Sequence, residues 1–355
     1  MSPAMIVEIV KSLSEMNLLR FDWDAVAGVD PLTTVFLLWP WMRAWMEVAP
    51  DPVHVLAARP SKNSPFVAFW PITYRGADSR IRIDHVREIA MGGEPLADTT
   101  GFLLTPGYEQ AALLAFADTL LHQLNWDRLN LKDVRDPRMN VLLPMLAEHE
   151  HDVHDDPGQC CPYVALPESW AEFEREQLSR AFRHSLRQKM KRSEKCCRLT
   201  TLADTEPHQQ IEALISLALS RKRKEPDPHL YRQRAILDRC VSENLADIIV
   251  LRKNDEPIAG AAMLIDEKQS SMGCIVTGYD ESHADESPGT VVMAHAIRRA
   301  IERGFKTFDF YRGDEAYKFR FGAQVRYNRN VRIARHGLGS TTRLTIDRLR
   351  HRLGA

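Results

Sequence analysis

Between residues 308 and 323 the chain reads Phe308-Asp309-Phe310-Tyr311-Arg312-Gly313-Asp314-Glu315-Ala316-Tyr317-Lys318-Phe319-Arg320-Phe321-Gly322-Ala323. Alternating Phe308 and Phe310 predict a strand that delivers carboxylates, cations and phenols at its C-terminal end, where α/β sheets collect ligands. Asp309 or Glu315 there can accept a proton from an incoming amine or hydroxyl. The same groups can also pair among themselves, with Asp309, Arg312, Glu315, Lys318 and Arg320 forming a structural ion network. A second constellation lies at Arg180, Arg183, Arg187 and Lys191, whose three- and four-residue spacing puts them on one helix face, with His184, Arg192 and Lys195 broadening the patch. Such a stripe can clamp phosphates. Equally, it can be a solvated face balanced by Glu172, Glu174 and Glu176 upstream, an order that suits the helix dipole. A third candidate is the helix start at Ser287-Pro288-Gly289-Thr290, where free amides and partial positive charge favour phosphate. Asp98, after the Gly92-Gly93 turn, is a candidate contact to an acceptor substrate.

Other chemistries find little support. No Ser-His-Asp order or GxSxG elbow argues for an acyl-enzyme. The six cysteines fall as Cys160-Cys161, Cys196-Cys197, Cys240 and Cys274, without the CxxC spacing of a zinc ribbon, so no metal is expected. His149, His151 and His154 sit among carboxylates, but a polar loop before Pro157-Gly158 accounts for them better. Cys196 and Cys197 lie in a basic helix without a matched base, and stay outside the expected mechanism. A net charge of −1 provides no global field toward nucleic acid or acidic membrane. The basic run Arg221-Lys222-Arg223-Lys224 reads first as a helix-end cluster. Arginines recur from Arg326 to Arg352, but no base-reading motif accompanies them. Residues 1–20 read as a short amphipathic segment interrupted by Glu8, Lys11 and Glu15, which is neither a secretory signal nor a membrane span. A cytoplasmic chain with reduced thiols is the expectation.

The elements that must position these groups alternate between strand and helix, which implies an α/β or α+β architecture. In the first half the pattern predicts a helix over 38–48, anchored by Trp39, Trp41, Trp45 and Met46 as core residues. Strands follow over 53–59, 65–74 and 81–91, then a helix over 108–124 and a strand over 126–134. Residues 148–167 lack a period and mark the junction. The second half predicts one long helix over 170–195, helices over 209–223 and 229–244, strands over 246–252, 257–266 and 269–279, a helix over 290–303 stopped by Gly304, and a strand over 305–311.

The order strand–turn–strand–strand–loop–helix–strand from Ala246 to Tyr311 resembles the core of a GNAT acyltransferase. In that fold the amides of Ser287, Gly289 and Thr290 become the candidate donors to an acyl-CoA. Of the usual loop with two spaced glycines, only Gly289 is present. Features throughout the chain resemble the acetyltransferases of the CelD/BcsL (BioF2-like) type associated with cellulose and exopolysaccharide synthesis. These are Cys161-Pro162, Leu166-Pro167, Ser169-Trp170, Ile258-Ala259-Gly260-Ala261, Tyr279-Asp280, Ser287-Pro288-Gly289 and the segment from Phe308 to Lys318. Trp41, Trp45, Met91-Gly92-Gly93, Asp98 and Gly101-Phe102 extend the match more loosely into the first half. The resemblance reaches the Fem-type peptidyltransferases, tandem GNAT folds that use aminoacyl-tRNA, through Tyr317-Lys318 and Gly322.

The resemblance implies two GNAT-like halves, each a mixed sheet flanked by helices: 1–155, 156–335 with the working site, and a basic tail 336–355. It implies transfer of an acetyl or acyl group from acyl-CoA to an amine or hydroxyl of a small molecule or sugar. No metal, membrane insertion or sequence-specific nucleic acid is implied. Lys318 is expected to bind a donor phosphate or steady the oxyanion, and Tyr317 to protonate the leaving thiolate. Asp309 and Glu315 are expected as bases, Arg312 and Arg320 at the co-substrate, and Asp98, Arg183, Arg187 and Tyr279 at the acceptor. Fem-like transfer from tRNA, and a non-catalytic partner of a polysaccharide-synthesis complex, are the alternatives.

Overall fold

The computed structural model describes residues 5–75, 86–147, 151–221 and 228–335. The chain divides into two compact units, Met1–Gln159 with Asn328–Ala355, and Cys160–Tyr327.

In the first unit, β1 (Ile6–Val10), β2 (Val53–Arg59), β3 (Ala68–Arg75), β4 (Glu88–Met91) and β6 (Arg128–Val134) form the sheet in that order. Short β5 (Leu103–Leu104) pairs with β3, and β13 (Gln324–Arg335) adds to β6. All neighbours are antiparallel except β4 and β6. Strands β2 and β3 are buried almost throughout, so their sequences run apolar where a half-exposed strand would alternate. The Trp39–Val48 helix starts with proline in its first turn and buries Trp39, Trp41 and Trp45. These tryptophans are core residues, as their spacing predicts. Asp30, fully buried, accepts from the Leu32 and Leu104 amides and pairs with Arg138, which also grips Asp136. A charge at this depth persists only with such partners.

Three expectations are corrected here. Residues 1–20 are not one amphipathic segment: β1 is followed by the Leu13–Leu18 helix, opened by a capping box of Ser12 and Glu15. The junction is not a loop, because His151–Ala165 forms strand β7; cross-strand pairing imposes extension on a sequence that carries no period. From Arg329 onward β13 pairs with β6, so the chain beyond Tyr327 serves the first unit where the pattern assigned 328–335 to the second. Residues 336–355, His149 and the Lys222–Lys224 part of the basic run, numbers 222–224, lie outside the described residues.

The second unit orders its strands β7, β12 (Thr307–Asp309), β11 (Ser271–Tyr279), β10 (Glu256–Asp266), β9 (Ala246–Lys253) and β8 (Arg198–Thr201). Only β11 and β12 run parallel. Asn254 and Asp255, both at positive φ, make the two-residue turn between β9 and β10. The Pro207–Arg221 helix packs closely enough on β11 that a Cβ on Gly278 would stand 2.4 Å from the Ala218 nitrogen. The expected long helix is two, Trp170–Glu176 and Arg180–Cys196, because Ser179 caps the second by accepting from the Phe182 amide. The expected strand over 305–311 is only three residues, β12, because the chain turns left-handed at Tyr311.

Glu94 of the first unit is buried, and its Oε1 accepts from the Lys132 amide at 3.2 Å. Burial pushes its carboxyl up to about 7, against the lowering effect of that amide. Between the ordinary carboxylate range and about 7, the folded chain keeps a proton that the unfolded chain releases. The associated stability is full below this window and is lost as pH rises through it. Urea midpoints of Glu94→Gln should therefore decline less than wild type between pH 5 and pH 8, a window set at about these values by linkage. Parallel declines in the two proteins would reject this assignment.

Candidate active site

The second unit opens a cleft of about 290 Å³ lined by Thr277, Tyr279, Ala284, Ser287, Pro288, Gly289, Thr290, Met293 and Tyr317. Its cause is a failure of strand pairing. β11 pairs with β12 only from Ser271 to Gly273. On its other side the register with β10 slips, Ala262 facing Val276 and Met263 facing Cys274, so Ile275 is the inserted residue of a bulge. A bulge bends its strand, and no strand of the described residues lies beside residues 275–278 on the side of β12. Thr277 and Tyr279 then stand on the opened edge. Close approach at the base of the opening needs Gly273, where a Cβ would meet the Tyr311 ring at 2.4 Å.

The opposite wall is the start of the Pro288–Glu302 helix. Ser287 caps it in the left-handed region, at φ 52° and ψ 49°. The Ser287 amide donates to the Ala284 carbonyl at 2.9 Å, and the Ser287 carbonyl takes the amides of Thr290 and Val291. Of the three expected amide donors, Ser287 and Thr290 are thus engaged. Gly289 alone donates to no acceptor among the described residues. Its missing side chain also matters: a Cβ there would lie 3.0 Å from Cδ1 of Tyr279. The site therefore joins an open amide at the positive end of a 15-residue helix to an unzipped strand edge.

Tyr317 reaches the cleft from the short Ala316–Arg320 helix, 38% exposed, its ring edge-on to Phe310 at 6.4 Å. Lys318, next to it, does not line the cleft. Its side chain is buried, and the ammonium donates to the carbonyls of Arg312 at 2.8 Å, Gly313 at 3.1 Å and Tyr311 at 3.4 Å. It also pairs with the Glu315 carboxylate at 2.9 Å. These acceptors use up its three protons, so Lys318 fastens the loop after β12 and positions Tyr317. The loop is further tied by the amides of Phe310 and Gly313 to the carbonyls of Pro162 and Cys160 on β7.

The remaining expected residues are elsewhere. Asp309 is buried, accepts from the Tyr311 amide at 2.8 Å and is ion-paired to Arg326, the first arginine of the run from Arg326 to Arg352. Glu315 is spent on Lys318. Arg312 contributes its carbonyl to Lys318. Arg320 lies over the Phe182 ring at 4.5 Å. Arg187 grips Glu174 at 2.9 Å, and Arg183 donates to the Glu174 and Arg175 carbonyls. Asp98, in the first unit, is buried with its carbonyl accepting from Asn328. Charged type and spacing flagged these residues; Glu315 and the Arg312 carbonyl are taken up by Lys318, while Asp309, Arg187 and Arg320 engage residues outside the candidate set. Thr277 and Met293 were missed; the signal for both was the position of a strand end and a helix start.

Residues 180–319 match a domain described as an Acetyltransferase (GNAT) domain. No curated protein matches the sequence. Among solved structures, FemX is 12% identical over 91% of this chain and 96% of its own, with a TM-score of 0.61. The C-terminal domain of a protein assigned as a lysylphosphatidylglycerol synthetase from Agrobacterium fabrum is 11% identical over 96% and 97%, with a TM-score of 0.55. A tandem GNAT protein from the clavulanic acid biosynthesis pathway is 10% identical over 94% and 100%, with a TM-score of 0.50. The fold is GNAT-like. Mixed sheets flanked by helices are what the resemblance implies, and the splayed β11 edge lies within the segment that matches the domain.

Lys318→Met should lower stability by about 3 kcal/mol, since three carbonyls lose a charged donor. Glu315→Gln, at a carboxylate 58% exposed, should cost less than about 1 kcal/mol. Urea unfolding of both variants checks the contrast. Equal, small effects would show that the ammonium does not hold the loop.

Proposed function

We propose that the chain is an acyltransferase that moves an acyl group from acyl-CoA to an amine or hydroxyl. The observation that carries this reading is the cleft between the released edge of β11 and the open Gly289 amide. Both walls fit the co-substrate's chemistry. A pantetheine arm bears amides that can add to an open strand edge in the manner of an extra strand. A pyrophosphate suits the Gly289 amide and the helix dipole behind it. The coenzyme supplies an activated thioester. Tyr317 supplies a phenolic proton to the sulfur as the nucleophile displaces it, and the proton of the nucleophile passes to solvent. No carboxylate or imidazole lines the cleft among the described residues, so the chain's part is mainly to bind, orient and protonate. Among the described residues no helix is long and apolar enough to cross a membrane. The resemblance to the CelD/BcsL type supports a sugar or amino-sugar acceptor.

One observation favours a second donor, an aminoacyl-tRNA of the Fem-type kind. A groove of about 890 Å³ is lined by Arg175, Arg180, Arg183, His184 and Arg187, a setting for polyphosphate.

Calorimetric titration with acetyl-CoA tests the first reading. Gly289→Val, which fills the gap toward Tyr279, should weaken binding at least about tenfold. Tyr317→Phe should leave binding nearly unchanged and slow turnover about 100-fold. Absence of heat with folded protein, together with stabilisation by charged tRNA, would replace acyl-CoA with the second donor.

A further inference from the structure

We propose that Cys196, Cys197 and Glu286 form a binding site for a thiophilic divalent metal ion of the zinc class. This site stands independently of the acyl-transfer reading.

The three side chains come from elements far apart in sequence. Cys196 ends the Arg180–Cys196 helix, and Cys197 caps it by donating its amide to the Ser193 carbonyl at 2.8 Å. Glu286 ends the Glu281–Glu286 turn that leads into Ser287. The sulfurs are 3.5 Å apart, and the Cys196 sulfur lies 4.0 Å from Oε2 of Glu286. All three ligand atoms fall within 4.8 Å of one another. Zinc–sulfur bonds of about 2.3 Å and zinc–oxygen bonds of about 2.0 Å imply tetrahedral edges of about 3.8 Å and about 3.5 Å. The sulfur–sulfur separation and the Cys196–Glu286 separation differ from these edges by about 0.3 Å and about 0.5 Å, within the reach of small side-chain adjustments. All six cysteines are free, so both thiols are available as ligands.

The carboxylate is oriented for this role. Lys253 and Nδ1 of His283 both hold Oε1 of Glu286, leaving Oε2 turned toward the thiols. Partners behind a ligand that fix its direction are a regular part of metal sites. Two thiolates and a carboxylate carry three negative charges against the ion's two positive ones, and Lys253 offsets the excess. With three protein ligands, the fourth tetrahedral position falls to water. Cys196 is exposed at the surface, which leaves an entry path. Occupancy would brace the end of the basic helix against the turn that enters the cleft at Ser287.

Cobalt(II) is the probe, because thiolate ligation gives a near-ultraviolet charge-transfer band and tetrahedral geometry gives strong visible bands. The reduced full chain should take up one cobalt with both signatures, and zinc should displace it. Cys196→Ser and Cys197→Ser should each abolish the charge-transfer band or weaken binding at least about tenfold. Glu286→Gln should weaken binding by a similar factor. The double variant Cys160→Ser/Cys161→Ser, which alters the other adjacent pair, should bind as wild type does. Circular dichroism confirms that each variant is folded. The proposal is overturned if folded, reduced wild type shows no thiolate–cobalt band, if the band survives in Cys196→Ser and Cys197→Ser alike, or if Glu286→Gln binds unchanged.

Discussion

The second unit is organised around a strand that is paired on one side and released on the other. Residues 276–278 of β11 keep their ladder with β10, yet β12 is left behind after Gly273. Backbone amides and carbonyls demand partners wherever water is excluded, so an opened edge is an unmet requirement that an amide-bearing ligand can satisfy. The helix that follows turns its N-terminal end to the same opening. Neither feature alone makes a site, since sheets have edges and helices have ends throughout any α/β fold. Their convergence on one cleft of about 290 Å³, with Tyr317 at its wall, is what gives the arrangement chemical direction.

That convergence depends on a loop with almost no regular structure. After β12 the chain turns left-handed at Tyr311 and again at Gly313, a course that leaves carbonyls pointing inward. Lys318 satisfies them with a single ammonium. A buried cation is costly unless its donors are all used, and here each is. The consequence is a division of labour between adjacent residues, Lys318 turned into the loop and Tyr317 toward the cleft.

The same economy of charge runs through the rest of the molecule. Asp309 with Arg326, Arg187 with Glu174, and Asp30 with Arg138 and Asp136 each join residues that are otherwise expensive to bury. Some of the basic helix nevertheless remains directed at a groove of about 890 Å³, because Arg175, Arg180, Arg183, His184 and Arg187 outnumber the nearby acids. The helix face is therefore partly neutralised and partly available to an anion.

Period and capping residues were enough to determine the helices at Trp39–Val48 and Pro288–Glu302, the strands β2 and β9–β11, and the α/β character, because apolar spacing records locally which face is buried; the GNAT-like identity of that α/β fold came from the resemblance. The Ser287–Thr290 helix start was singled out from its residue types, and Tyr317 from the resemblance to GNAT and Fem-type proteins. Ser12-x-x-Glu15 and Ser179 were also written in the sequence as helix starts, though hydrophobic pattern alone passed over them. Tertiary structure decided the rest. β7 is extended because neighbouring strands pair with it, β12 along Tyr163–Ala165 and β13 on its other side, not because His151–Ala165 favours extension. Whether Asp309 or Arg187 faced a ligand or a neighbour depended on partners 17 and 13 residues distant, and for Lys318 on the loop carbonyls five to seven residues before it, which a linear pattern of charges does not encode. Cys196, Cys197 and Glu286 meet for the same reason: 90 residues separate the first from the last, and only the folded chain brings a carboxylate to the thiols.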